Sequence, residues 1–355
     1  MNFGMILIWI AFILGAASAA YSIIHLRTNS TSAGSLSRKL EFGSAGAITL
    51  AILLLTYYLL TVSASYVYVY MHSSVDLEFV YRLSALWAGQ EGSFLLWTWF
   101  TLLMLLAMQY TGHTKELFDS RVMNITRAIC LLIVTVFLML LVLKNPFSMY
   151  YGDIGSYVEI SNWNPFVSAY PLTDGQGMNP LLRNPWMAVH PPVLFLGYAA
   201  FTIPFAAALA TLLIDDEKWI KISRDWMRMA WLFLTAGIGL GGFWAYEVLG
   251  WGAWYWTWDP VETSSLIPWI TATAYLHAQT RVRHGEYRFL APMLAVTSFI
   301  LVIFATFVTR SGMWVSVHSW QDFTLEGMVI AIFLVVLLVS SLGLLVRRYF
   351  EEDED

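Results

Sequence analysis

Runs of apolar residues about 20 long, divided by short polar stretches, recur along the chain at 3–24, 42–65, 93–111, 128–143, 189–213, 229–249, 263–280, 289–309 and 327–346. About 20 such residues carry a helix across the hydrocarbon core of a bilayer. The pattern predicts an all-α polytopic membrane protein with about nine transmembrane helices. The first run ends in Ala17-Ser18-Ala19-Ala20, as a secretory leader can, but no Lys or Arg precedes it and further apolar runs follow, so it reads as a spanning helix. One extramembrane stretch is long, 145–188, and carries four Asn-Pro pairs that start turns. Its aromatics, Tyr150, Tyr151, Trp163, Phe166 and Tyr170, predict packing onto the membrane-proximal surface rather than an open linker.

Charge sets the orientation. With the N-terminus outside, 15 of the 19 Lys and Arg residues fall on the inner side, leaving Arg82, Lys144, Arg183 and Arg310 outside. The C-terminal tail, Glu351 to Asp355, then faces the cytoplasm. Composition agrees with membrane insertion: 58% of residues are apolar, 12% are charged and mean hydropathy is +0.63. The one cysteine, Cys130, lies in an apolar run; this excludes an internal disulfide, a cysteine cluster for zinc or iron–sulfur, and a Cys-x-x-Cys-His attachment site. Nothing in the charge pattern points to nucleic acid. The chain reads as one unit, 1–355, that includes the outer loop 145–188 and an outer tryptophan-rich segment, 250–262.

That segment holds Trp251, Trp254, Trp256 and Trp258 with Tyr255, Asp259 and Glu262. Interfacial tryptophans should populate both membrane faces, yet thirteen of this chain's lie on or near the outer side against three on the inner. Such a platform suits a large planar ligand with an apolar face and charged edges, and haem is the candidate. His190, opening His190-Pro191-Pro192, and His318 both lie outside, where two imidazoles on separate elements could clamp an iron. His277 falls about 15 residues into its helix, roughly 22 Å below the outer surface. It is a candidate ligand for a second, buried haem, or a hydrogen-bonding group between helices. Arg310 and Arg183 are cations suited to haem propionates; each also reads as an ordinary surface arginine. Asp259-Pro260-Val261-Glu262 predicts a helix start, with Asp259 as cap and Glu262 reaching back. In Trp87-Ala88-Gly89-Gln90-Glu91-Gly92-Ser93 the glycines predict a tight re-entry into the third span or a close approach to a ligand.

These blocks together resemble the haem-handling protein superfamily, defined by a tryptophan-rich WWD signature, and within it the CcmF branch of cytochrome c maturation. The segments that carry the resemblance are 87–97, 190–198, 251–269 and 309–318. It implies haem b at the outer WWD platform ligated by His190 and His318, with His277 as a ligand of a transmembrane haem. It implies work as a subunit of a cytochrome c haem lyase: positioning haem for thioether bonds to the Cys-x-x-Cys-His of apocytochrome c. The implied partners are a holo-CcmE-like carrier, a CcmH-like thiol protein and apocytochrome c, at a prokaryotic plasma membrane. The resemblance covers the N-terminal portion of CcmF. The ligand opposite His277 therefore comes from a separate C-terminal CcmF-like subunit or from within the chain, with His25 and His113 as the inner-end alternatives, unless the buried haem is absent. The rival readings are a haem transporter and a haem b subunit that oxidises quinol.

Overall fold

The computed structural model describes residues 1–110, 115–152, 159–248, 256–282, 287–316 and 324–352. Its helices are α1 (Phe3–Thr28), α2 (Thr31–Leu60), the short α3 (Val67–His72) and α4 (Phe79–Ser84), α5 (Gln90–Tyr110), a short α6 (Lys115–Phe118), α7 (Arg121–Leu143), α8 (Pro185–Ile214), α9 (Trp219–Val248), α10 (Pro260–Val282), α11 (Leu290–Arg310) and α12 (Leu325–Glu352). Among the described residues eight helices are long and apolar enough to cross a membrane. The predicted seventh span corresponds to α10, which has 23 residues and packs against α9 and α11. Its Ser, Thr and Gln residues keep it below the apolarity of the other eight.

Most of the spanning helices begin earlier than their apolar runs. α2 starts at Thr31 rather than 42, and α7 at Arg121 rather than 128. Hydropathy marks only what the bilayer covers, whereas backbone hydrogen bonding continues until a side chain caps it. Ser30 Oγ accepts the Ala33 amide at 3.3 Å, Ser120 Oγ that of Met123 at 3.3 Å, and Asn184 Oδ1 that of Trp186 at 2.8 Å.

One consequence is that Arg127, read from sequence as an inner-loop charge, sits inside α7. It is 3% exposed, and its guanidinium meets Glu41 of α2 at 2.6 and 2.8 Å. Gln109 of α5 donates to the other Glu41 oxygen at 2.6 Å, and Arg127 also donates to Ser37 Oγ at 3.0 Å. Beside them Ser18 and Ser37 exchange hydrogen bonds with each other's carbonyl, joining α1 to α2.

α8 and α9 approach closely through glycine. A Cβ at Gly197 would lie 2.8 Å from the Leu234 nitrogen, and one at Gly237 would lie 2.8 Å from Leu194 Cα. α5 and α11 pack on other faces of α8. α12 is the least covered of the candidate spans.

The long connection between α7 and α8 contains two short antiparallel strands, β1 (Met149–Tyr151) and β2 (Glu159–Ser161), with Tyr150 opposite Ile160. Part of the expected aromatic packing is present. Tyr150 meets Tyr70 edge-on at 5.5 Å, and Trp163 meets Trp9 at 6.3 Å. Phe166 departs from the expectation, being 74% exposed.

Candidate functional site

Where α5, α8, α9, α10 and α11 converge at the predicted outer end, they enclose a cavity of about 370 Å³. Aromatic rings form much of its wall: Trp87, Phe94 and Trp97 on the α5 side, Phe195 and Tyr198 from α8, Trp244 from α9 and Trp256 from the tryptophan-rich segment. His190 and Arg310 also line it.

The His-Pro-Pro sequence explains part of the local geometry. It lies in the second turn of α8 rather than at its start. Pro191 has no N–H, so the carbonyl four residues earlier, that of Met187, lacks its helical donor. The Trp87 indole N–H reaches that carbonyl in a long hydrogen bond of 3.4 Å. On the neighbouring turn, His190 Nδ1 donates to the Gly237 carbonyl of α9 at 2.7 Å. A carbonyl can only accept, so the proton is on Nδ1 and the lone pair of the neutral ring is on Nε2. In metal sites a carbonyl that accepts from one ring nitrogen in this way orients the imidazole and leaves the other nitrogen to the metal. Gly241 provides the space, since a Cβ there would lie 2.7 Å from His190 Cε1.

The expected helix start at Asp259 is present. Asp259 Oδ1 accepts the Val261 amide at 2.9 Å, and Glu262 Oε2 accepts the amides of Thr257 and Asp259 at 3.0 and 3.3 Å. Between those amides Trp258 adopts a φ of +60°, a left-handed conformation that a bulky residue rarely takes. The Glu262 carboxylate thus grips the kink from both sides. Trp258 is 70% exposed and meets Trp256 edge-on at 6.3 Å. Asp259 also accepts a hydrogen bond from Ser316 Oγ at 2.8 Å, tying the segment after α11 to the tryptophan-rich one.

Of the predicted site residues, the structure brings His190, Trp256 and Arg310 to one cavity. Arg310 is 8% exposed, with its guanidinium 5.3 Å from the Phe94 ring centroid, so its reading as a surface arginine does not hold. Arg183 does not join them: it is exposed and turns its Nε to the Met178 carbonyl at 3.0 Å. His277 is also elsewhere, on an exposed face of α10. Trp251, Trp254, His318 and His113 lie outside the described residues.

Sequence reading missed Gly241 and assigned no site role to Trp97, Tyr198 or Trp244, although Trp97 and Tyr198 fall in the segments 87–97 and 190–198 that carry the resemblance. Gly237-x-x-x-Gly241 carried a signal, because small residues four apart mark close helix contact in membranes. For the aromatic residues no contact could be read from sequence, since a tryptophan or tyrosine in an apolar run looks the same facing lipid or a cavity.

The volume falls within the range of about 300–1,000 Å³ common to cofactor-sized sites. The indole N–H groups of Trp97 and Trp256 are buried without an acceptor among the described residues, and both residues line the cavity. A flat apolar wall, an oriented imidazole and one cation are a donor set that fits haem.

Comparison with known proteins points the same way. A family model described as cytochrome c assembly protein matches residues 87–315. The chain is 35% identical over 312 residues to the cytochrome c-type biogenesis protein CcmF of Haemophilus influenzae, covering 87% of this chain and 45% of that protein. It is 36% identical over 306 residues to a probable cytochrome c-type biogenesis protein NrfE of Escherichia coli, covering 84% and 50%. A solved structure named Cytochrome c Heme Lyase CcmF superposes with a TM-score of 0.75 at 27% identity, covering 97% of this chain and 51% of that one. The chain spans about half the length of these relatives. Its match across 87–315, a stretch holding the cavity-lining residues of α5, α8, α9, α10 and α11, makes it a multi-pass membrane protein belonging to the cytochrome c assembly protein family.

Proposed function

We propose that the chain is the haem-handling part of a cytochrome c haem lyase, one functional unit whose cavity opens on the extracytoplasmic face of a prokaryotic plasma membrane. His190, through Nε2, and His318 would hold the iron of haem b there. Trp256 and Trp258, with Trp251 and Trp254, form the platform under the macrocycle. Arg310 faces a propionate. Asp259 and Glu262 fix the angle between platform and α10.

Haem supplies the iron and the two vinyl groups that become thioethers with the cysteines of an apocytochrome. The protein's own contribution is orientation. His190 is aimed by the Gly237 carbonyl, the aromatic walls exclude water, and good alignment of reacting groups can contribute about 7–11 kcal/mol to lowering a barrier. The partners in this reading are a CcmE-like haem carrier, a CcmH-like thiol protein and the apocytochrome. His277, on its exposed helix face, ligates a second haem whose opposite ligand comes from the portion of CcmF that this chain does not match.

The observation that supports the reading most is the His190–Gly237 hydrogen bond beside an aromatic cavity. In cells making cytochrome c, His190→Ala should abolish thioether formation while the loaded carrier accumulates. Continued maturation in that variant would contradict the assignment, and a defect persisting in cells without any cytochrome c would favour transport or quinol oxidation instead.

A further inference from the structure

The glycine-rich turn at 85–93 forms one wall of the cavity, and its shape is set from behind by two residues of α3. Tyr68 Oη donates to the Ala85 carbonyl at 2.9 Å, with the Leu86 carbonyl at 3.2 Å, and accepts the Gly89 amide at 3.0 Å. His72 Nδ1 donates to the backbone carbonyl of Tyr68 at 2.8 Å, and the two rings stack with centroids 4.3 Å apart. The turn closes on this pair without spare room. A Cβ at Gly89 would lie 2.6 Å from His72 Nε2, and one at Gly92 would lie 1.9 Å from the Leu86 oxygen.

The far side of the same turn faces the cavity. Ser93 Oγ donates to the Gly89 carbonyl at 2.6 Å, which fixes where α5 begins. Phe94 then stands under the Arg310 guanidinium. Trp87 reaches across to the Met187 carbonyl that Pro191 leaves without its helical donor. Met187 lies one helical turn before His190 and Pro191. A line of contacts therefore runs from α3, through the turn, to the part of α8 that carries the histidine.

We propose that Tyr68 and His72 are positioning residues for the haem-facing wall: they hold Trp87 and Phe94 in place and, through Trp87, the His190 turn of α8. Neither is among the residues lining the cavity, so their effect is indirect. The inference rests on the reading of the cavity as a haem site. It also gives Gly89 and Gly92 a physical reason, close approach of the turn to a tyrosine hydroxyl and an imidazole rather than to a ligand.

The test titrates haemin into the purified full chain in lipid nanodiscs and follows the Soret band and amide exchange. Tyr68→Phe keeps the stacked ring and removes only the hydroxyl; Gly89→Ala pushes a methyl against the same pair. Both should weaken haem binding by about 10–100-fold, the range for outer-shell partners of a metal ligand. Both should shift the Soret band and speed exchange within 85–93 while α7 exchanges as in the wild type. Gly343→Ala, where a Cβ would meet nothing within 4 Å, should bind as the wild type does. Unchanged affinity and Soret position in Tyr68→Phe and Gly89→Ala, alongside lost binding in His190→Ala, overturns the inference and leaves the haem site standing. No haemin binding by the wild type overturns the haem site itself. Should Tyr68→Phe not fold, the Soret band and exchange of Gly89→Ala decide the same question.

Discussion

The two halves of the bundle treat buried polar groups in opposite ways. Among α1, α2, α5 and α7, Glu41, Arg127, Gln109, Ser37 and Ser18 turn inward on one another, within hydrogen-bonding distance. Among α5, α8, α9 and α11, polar groups surround a hole. His190 Nδ1 is held by the Gly237 carbonyl, two buried indole N–H groups have no acceptor among the described residues, and Arg310 stands over an aromatic ring. A polar group in the membrane needs a partner. The first half supplies partners from the chain itself, whereas the second is the part we propose receives a ligand.

The largest effect is expected where the closed cluster is broken. Arg127→Leu leaves Glu41 as a buried charge without its partner and should cost about 3–5 kcal/mol, whereas Glu41→Leu with Arg127→Leu should recover most of that loss. Thermal unfolding in detergent reads both. Equal losses in the single and double variants would mean the pair is not the element that matters.

A smaller effect should follow from crowding the open side. In Gly241→Ala the added methyl would fall 2.7 Å from His190 Cε1, and overpacking of this kind costs about 1–3 kcal/mol. Haem binding should suffer more than stability, because the ring that moves is the proposed ligand. A variant that lost stability but kept the wild-type haem spectrum would separate His190 from the iron.

The mildest change concerns the edge of the platform. Asp259→Ala removes a helix cap, a loss of about 0.5–2 kcal/mol, and also the Ser316 contact. Faster amide exchange at both 256–265 and 311–316 is the expected signature. Exchange confined to the first turn of α10 would reduce Asp259 to a local cap.

The capping role of Asp259 and Glu262 was legible in sequence because every atom involved lies within a few residues. The spanning helices were legible for a similar reason, since lipid reads local apolarity. Arg127 was misplaced, because a charge immediately before an apolar run looks like a loop until Glu41 of another helix is found opposite it. Arg183 and Arg310 looked alike as outer cations, and only packing sent one to the Met178 carbonyl and the other into the cavity wall.

Local chemistry thus settled the fold class and singled out His190. It could not decide which nitrogen of His190 carries the proton, that Gly241 makes room for the ring, or that Tyr68 and His72 stand behind Gly89. Those depend on residues tens of positions apart meeting across helix faces. Such distances are set when the helices pack, by the sum of many contacts rather than by any short stretch of chain.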